Sequence, residues 1–197
     1  MAKLELFENV SELGAGTRGA SLGVEALKVA SLNAKSEYFS KYKLKTINVS
    51  NDFLYNPTDT PNAIRVEGIE EVFKTVSNDI SESISSNKFP LVLAGDHSSA
   101  GGTIAGIKKA NPDARLGVIW IDAHGDLHTP YTTPSGNVHG MPLATALAED
   151  NIESKINEPS EKTIKHWEGL KNMGGISPKI NPEDLILCRA VYQKFLK

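Results

Sequence analysis

The chain has one cysteine, Cys188, in 197 residues, so it can form no intramolecular disulfide and suits a reducing compartment. Within its apolar stretch Cys188 reads as a buried strand residue. Long hydrophobic runs are also missing: nothing approaches the ~20 apolar residues of a membrane helix. The start, MAKLELFENV, lacks the basic opening and continuous apolar stretch of a secretory signal, and the expected location is cytoplasmic. Neither charge sign dominates, with 21 Lys and Arg against 24 Asp and Glu and a formal net charge of -3. Without a dense basic patch interleaved with aromatics, neither a nucleic-acid nor a membrane partner is expected; small solutes are. The 40% hydrophobic and 23% charged residues are those of a folding chain, and the length suits a single domain over 1–197.

What is present is an alternation of short apolar runs with helical spacing. KLKTINVS (43–50), FPLVLAGD (89–96), RLGVIWID (115–122) and DLILC (184–188) read as strands. Their apolar residues fall on both faces, as in a parallel sheet covered by helices. From Ile69 on, Val72, Phe73, Val76, Ile80 and Ile84 recur at helical spacing. SAGGTIAGIKKANPD (99–113) opens with small residues, which fits a helix set tightly on a sheet and ending before Pro112. ASLGVEALKVASLNA (20–34) reads as a further amphipathic helix after the Gly-rich, flexible LGAGTRGAS. The stretch 150–182 reads as loop with one short helix near Thr163 to Lys171. Repeated βαβ units imply an α/β fold with a doubly wound parallel sheet in three αβα layers.

In such sheets ligands bind beyond the carboxyl ends of the strands. Two strands end in reactive residues here, one in Asp96-His97 and the other in IDAHGDLHTP (121–130). Read as extended, that stretch aims Asp122, His124 and Asp126 the same way by its spacing of two and converges them on one point. Mixed carboxylate and imidazole donors suit a borderline-hard divalent ion such as Mn²⁺ or Zn²⁺. Each of these residues has an ordinary alternative as a helix cap or loop residue, and AGDHSSAGG could instead be an anion-binding turn, although its glycines match neither nucleotide fingerprint.

LAGDHSSAGG, WIDAHGDLHTP and TTPSGNVHGMPLA together resemble the ureohydrolases, the arginase and agmatinase family of binuclear manganese hydrolases, with SGNxHG nearest to arginases. The resemblance implies an arginase-like fold and cleavage of a guanidinium group, in L-arginine or a close analogue, to urea and an amine by metal-activated hydroxide. It places His97 and Asp126 on one manganese, His124 on the other and Asp122 between both. Asp126 and His139 would be catalytic, His139 in the position usually given a proton-shuttling role; a structural histidine is the alternative there. Thr133, Ser135 and Asn137 lie in the loop that in arginases holds the substrate carboxylate, though they are also ordinary turn formers. His128 stands where arginases generally carry Asn, so it is a substrate-binding candidate with altered size and titration, or a surface histidine.

Two family features are missing. No second Asp-x-Asp string occurs in the sequence, and after PEDLIL the chain reads CRAVYQKFLK instead of the family's Gly-x-Arg-Asp type turn. The expectation is a sheet cut off after the fifth or so strand, C-terminally incomplete, with metal affinity weakened because fewer carboxylates offset the ionic charge. A chain so cut should be inactive or feeble alone. Its exposed sheet edge should favour self-association, in keeping with the trimers and hexamers common in the family. A non-catalytic metal-binding remnant and a binuclear metallophosphoesterase are the competing readings.

Overall fold

The computed structural model of the chain describes residues 3–189. Its first strand, β1 (Lys3–Asn9), lies between β2 (Leu44–Thr46) and β3 (Lys88–Ala94). Both pairings are parallel, with Leu6 opposite Leu44 on one side and Leu91 on the other. The other two strands, β4 (Val118–Asp122) and β5 (Leu185–Arg189), pair with each other, also in parallel. Among the described residues the expected single sheet is therefore two sheets, β2-β1-β3 and β4-β5. Among the described residues no ladder joins β3 to β4, and each keeps one edge unpaired.

Among the described residues six α-helices connect and cover the strands: α1 (Gly23–Asn33), α2 (Tyr38–Lys41), α3 (Val66–Ser85), α4 (Ala100–Ala110), α5 (Pro142–Leu147) and α6 (Glu161–Lys171). On α3 the residues at helical spacing, Ile69, Val72, Phe73, Val76 and Ile80, are buried as their period predicts, and Ile84 at the end of the stripe is partly buried against the same core. Leu6 and Phe7, adjacent in β1 and so on opposite faces, are both fully buried. Phe7 joins the α3 residues in the main core. On the Leu6 face Lys28 of α1 reaches Glu8 at 2.7 Å. The first sheet is thus covered on both sides, as an α/β fold requires.

The second ladder is covered on one side only. Trp120 packs with Ile104, Leu143, Ala146 and Ile180, while Ile119, Ile121 and Ile186 are exposed. Cys188, on the face of Ile186, is exposed too. The expectation of a buried cysteine is corrected for that reason: the outer face of β4 and β5 has no covering layer among the described residues.

Other boundaries differ in instructive ways. β1 was not expected, because its Lys3, Glu5 and Glu8 make the opening segment look polar; its charges pair at the rim, Lys88 with Glu5 at 2.6 Å. β2 is shorter than the run 43–50. The small residues of α4 pack on α3, not on a sheet: a Cβ on Gly102 would lie 3.0 Å from the Phe73 Cα, and one on Gly106 2.7 Å from the Ser77 carbonyl. Between 150 and 182 the one α-helix is α6, capped by Ser160, whose hydroxyl accepts from the Thr163 N–H at 3.2 Å. Trp167 of α6 is fully buried, its Nε1 donating to Asp150 at 2.7 Å. α2 and α5 were not expected. Of CRAVYQKFLK, the stretch from Ala190 on lies outside the described residues.

Candidate metal centre and adjoining cleft

β3 ends at Ala94 and β4 at Asp122, and the turns that follow bring their polar residues together. The His97 Nδ1 lies 3.2 Å from Asp122 Oδ2 and 3.0 Å from Asp126 Oδ2. Each of the three offers a ligand atom within 4.8 Å of the others. Neighbouring ligand atoms of an octahedral ion with bonds of about 2.1 Å lie about 3 Å apart, so this nitrogen and two oxygens fit one borderline-hard cation with little adjustment. The hydrogen bond to Asp126 raises the His97 pKa above the ordinary histidine value, against desolvation. At Asp122 the His124 N–H, bonded at 2.7 Å, is the main influence lowering the pKa.

The convergence does not arise from an extended stretch. β4 stops at Asp122, the chain bends through Ala123 and His124, and Asp126 adopts a left-handed φ of 46°. A turn, not the alternation of a strand, brings Asp126 back to Asp122. His124 lies apart from the converged three: its side chain is 82% exposed, with Nδ1 3.4 Å from Asp122 Oδ1. The two oxygens of Asp122 thus face different histidines, Oδ2 toward His97 and Oδ1 toward His124. On its other side His97 stacks on Trp120, with ring centroids 4.5 Å apart and planes 15° apart.

From Asp126 a cleft of about 510 Å³ opens, lined by His128, Thr133, Ser135, Asn137 and His139 among others. All the residues expected to bind substrate therefore line one cleft with His124 and Asp126. His128 is exposed, its Nδ1 3.3 Å from the Thr132 hydroxyl. The Thr133 hydroxyl accepts the Gly136 N–H at 2.9 Å, and that of Ser135 accepts the Asn137 N–H at 3.2 Å. Both are turn formers here, yet each keeps its own proton to donate into the cleft. Gly136 holds this loop in place: its φ is 75°, and a Cβ would fall 1.9 Å from the Pro61 carbonyl.

The segment LGAGTRGAS (13–21), expected to be flexible, carries site contacts that sequence reasoning missed. The Gly14 N–H donates to Asp96 Oδ2 at 3.2 Å, and the Gly14 carbonyl accepts from His139. Gly16 lies against the Asn137 amide. Glu12, buried beneath, accepts the Gly19 N–H at 2.9 Å and the Ser21 N–H at 3.0 Å, and bonds the Ser21 hydroxyl. The bond from that hydroxyl leads in holding the Glu12 carboxyl below the usual range. Asp96 is also buried, and burial raises its pKa against the bonds from Ser98 and Gly14. The only sequence signal for these contacts was the position of Asp96 beside His97.

Residues 9–158 match the family model described as the arginase family. The arginase of Brevibacillus brevis is 37% identical over 182 residues, covering 91% of this chain and 54% of the relative. The chain belongs to the arginase family. It spans about half the length of the curated relatives it matches. Among solved structures, native arginase from Bacillus caldovelox is similar with a TM-score of 0.73 and 32% identity, over 95% of this chain and 57% of that one. Arginase from Entamoeba histolytica, solved in complex with L-ornithine, gives 0.72 and 29%, over 95% and 58%. The arginase-like α/β fold implied by the three motifs is thereby established. No helix among the described residues is long and apolar enough to cross a membrane.

Proposed function

We propose that the chain carries the metal-binding and substrate-binding part of a ureohydrolase that cleaves the guanidinium group of L-arginine or a close analogue to urea and an amine. The observation that carries this reading is the meeting of His97 and Asp122 with Asp126, which itself lines the cleft walled by the SGNxHG loop. Membership of the arginase family supports the reaction class. The L-ornithine complex of the Entamoeba histolytica relative supports an amino acid in the cleft.

Mn²⁺ is the cofactor this reading assigns. His97, Asp122 and Asp126 would hold one ion, and His124 with the second oxygen of Asp122 would hold another. A bound divalent ion supplies the lowered water pKa that hydrolysis near neutral pH needs. The chain's own residues do the rest. The hydroxyls of Thr133 and Ser135 and the Asn137 amide are donors for the substrate carboxylate, and His128 adds a ring nitrogen to the same wall. His139 handles the proton passed to the leaving amine, and Asp126 acts at both the ion and the reacting end of the cleft.

The sequence holds no Asp-x-Asp string, so His97, Asp122, His124 and Asp126 would have to hold the ions with few carboxylates, and the expectation is feeble turnover by this chain. Arginine labelled with ¹³C in its guanidinium carbon, incubated with the purified chain and Mn²⁺, tests this. The expected outcome is slow, Mn²⁺-dependent urea release, with arginine perturbing the His128 resonances. The absence of both urea release and perturbation would overturn the substrate assignment. Urea at the rate of an ordinary enzyme, on the order of 10 per second, would overturn the weak-metal argument.

A further inference from the structure

The Gly14 peptide stands between two groups of the site. Its N–H is 3.2 Å from Asp96 Oδ2. Its carbonyl oxygen lies 2.9 Å from His139 Nδ1 and 3.1 Å from the His139 backbone nitrogen. A carbonyl carries no proton, so in both contacts with His139 it accepts and the histidine donates. The proton of a neutral imidazole here must then sit on Nδ1, which leaves Nε2 as the nitrogen with a free lone pair. Nothing larger than glycine fits: a Cβ on residue 14 would lie 2.6 Å from the Ser98 hydroxyl and 2.7 Å from Asp96 Oδ1. Ser98 in turn donates its own N–H to Asp96 at 2.8 Å, which fixes the carboxylate from the other side.

We propose that Gly14 is a positioning residue for His139: its peptide group, anchored by Asp96, holds the imidazole in the Nδ1–H tautomer and presents Nε2 as the basic nitrogen to the cleft. Free imidazoles of histidine favour the opposite tautomer, so the contact has to reverse an intrinsic preference. The proton then enters and leaves His139 at one defined atom. That consequence for turnover rests on the guanidinium-hydrolase reading; the tautomer itself does not.

The test uses the full chain without metal or substrate. Chain with ¹⁵N-labelled histidine is examined by long-range ¹H–¹⁵N correlation at a pH where His139 is neutral, with His139→Gln to assign its signals. A protonated, pyrrole-type Nδ1 and a pyridine-type Nε2 are expected, in an excess of about tenfold over the other tautomer, the net worth of one hydrogen bond. In Gly14→Ala the excess should collapse to a mixture while the other histidines keep their signals. A predominantly Nε2–H form in the native chain would overturn the proposal, as would a folded Gly14→Ala variant with an unchanged ratio. Should that variant fail to fold, slow solvent exchange of the Nδ1 proton in the native chain decides: a protected proton supports the contact, and a freely exchanging one overturns it. Urea release plays no part, so failure here leaves the hydrolase reading standing, and failure of that reading leaves the tautomer in place.

Discussion

Asp126 combines a left-handed backbone with a side chain that meets His97. Non-glycine residues rarely hold a positive φ, and Asp and Asn are the ones that tolerate it. The residue type at this position thus answers two demands, one from the turn and one from the ligand set. His97, Asp122 and Asp126 were legible as chemistry in the sequence, since acids and imidazoles at strand ends have few other reasons to cluster twice. Their geometry was not, because a positive φ at an aspartate leaves no trace in hydrophobic periodicity. Gly14 was illegible for a related cause: its importance lies in a peptide group, and every residue has one.

Lys179 poses the other residue-scale question. It is buried, with Nζ donating to the carbonyls of Lys171 at 2.6 Å, Thr145 at 3.3 Å and Leu170 at 3.4 Å. Desolvation lowers its pKa from 10.5 to about 8. Below that value both folded and unfolded chains carry the proton, and the burial penalty is constant. Between about 8 and 10.5 the unfolded chain holds more protons, so this group makes stability rise with pH. Comparing native chain with Lys179→Met by denaturant unfolding isolates the effect. The native chain should gain on the variant across that window by at most about 3 kcal/mol, at 1.36 kcal/mol per pKa unit, with the three carbonyl acceptors holding the gain below that ceiling. Parallel pH profiles would show that Lys179 keeps an ordinary pKa.

At the scale of elements, the loop 133–140 depends on its contact with residues 61–64. The Gly136 carbonyl accepts the Ile64 N–H at 2.8 Å, and its φ of 75° leaves no room for a side chain. Gly136→Ala should cost about 2 kcal/mol or more, lowering the melting temperature by roughly 4–8 °C for a domain of this size. Gly19 has a φ of 96° but nothing within 4 Å of a Cβ, so Gly19→Ala should cost roughly half as much. Equal costs by thermal denaturation would mean that the Pro61 contact relaxes freely. Elements with one dominant period were legible: α3 by its stripe, β3 and β4 by their apolar runs. β1 was hidden by its rim charges. The packing surface of α4 was misjudged because small residues mark close approach without saying to what.

For the whole molecule, the decisive feature among the described residues is the pair of unjoined sheets. β3 and β4 both supply the metal candidates, yet each has an unpaired edge. Phe89 of β3 and Ile119 and Ile121 of β4 are exposed on those strands, and Ile186 of the neighbouring β5 is exposed too. Unpaired edges flanked by apolar side chains template pairing with other chains. Sedimentation of the purified chain at tens of micromolar, a range chosen as typical for transient association of such surfaces, should show species heavier than the 21.3 kDa monomer. A single monomeric boundary at that concentration would show that these surfaces are quiet. The parallel pairing within each sheet was legible in advance from apolar runs alternating with helical spacing. The position of the break, between β3 and β4 instead of at the outer edge, was not legible, because strand order is set by long-range pairing that local sequence does not encode.

The central claim is that His97, Asp122 and Asp126 grip a divalent cation, and Mn²⁺ titration by calorimetry tests it most directly. Asp126→Asn is the matched control, since asparagine tolerates the same left-handed backbone and removes only the charge. The native chain should bind Mn²⁺ with measurable heat, and the variant should bind at least tenfold more weakly, in line with the usual cost of disturbing a metal ligand's environment. Equal affinity in the two proteins, or no binding by the folded native chain, would contradict the account.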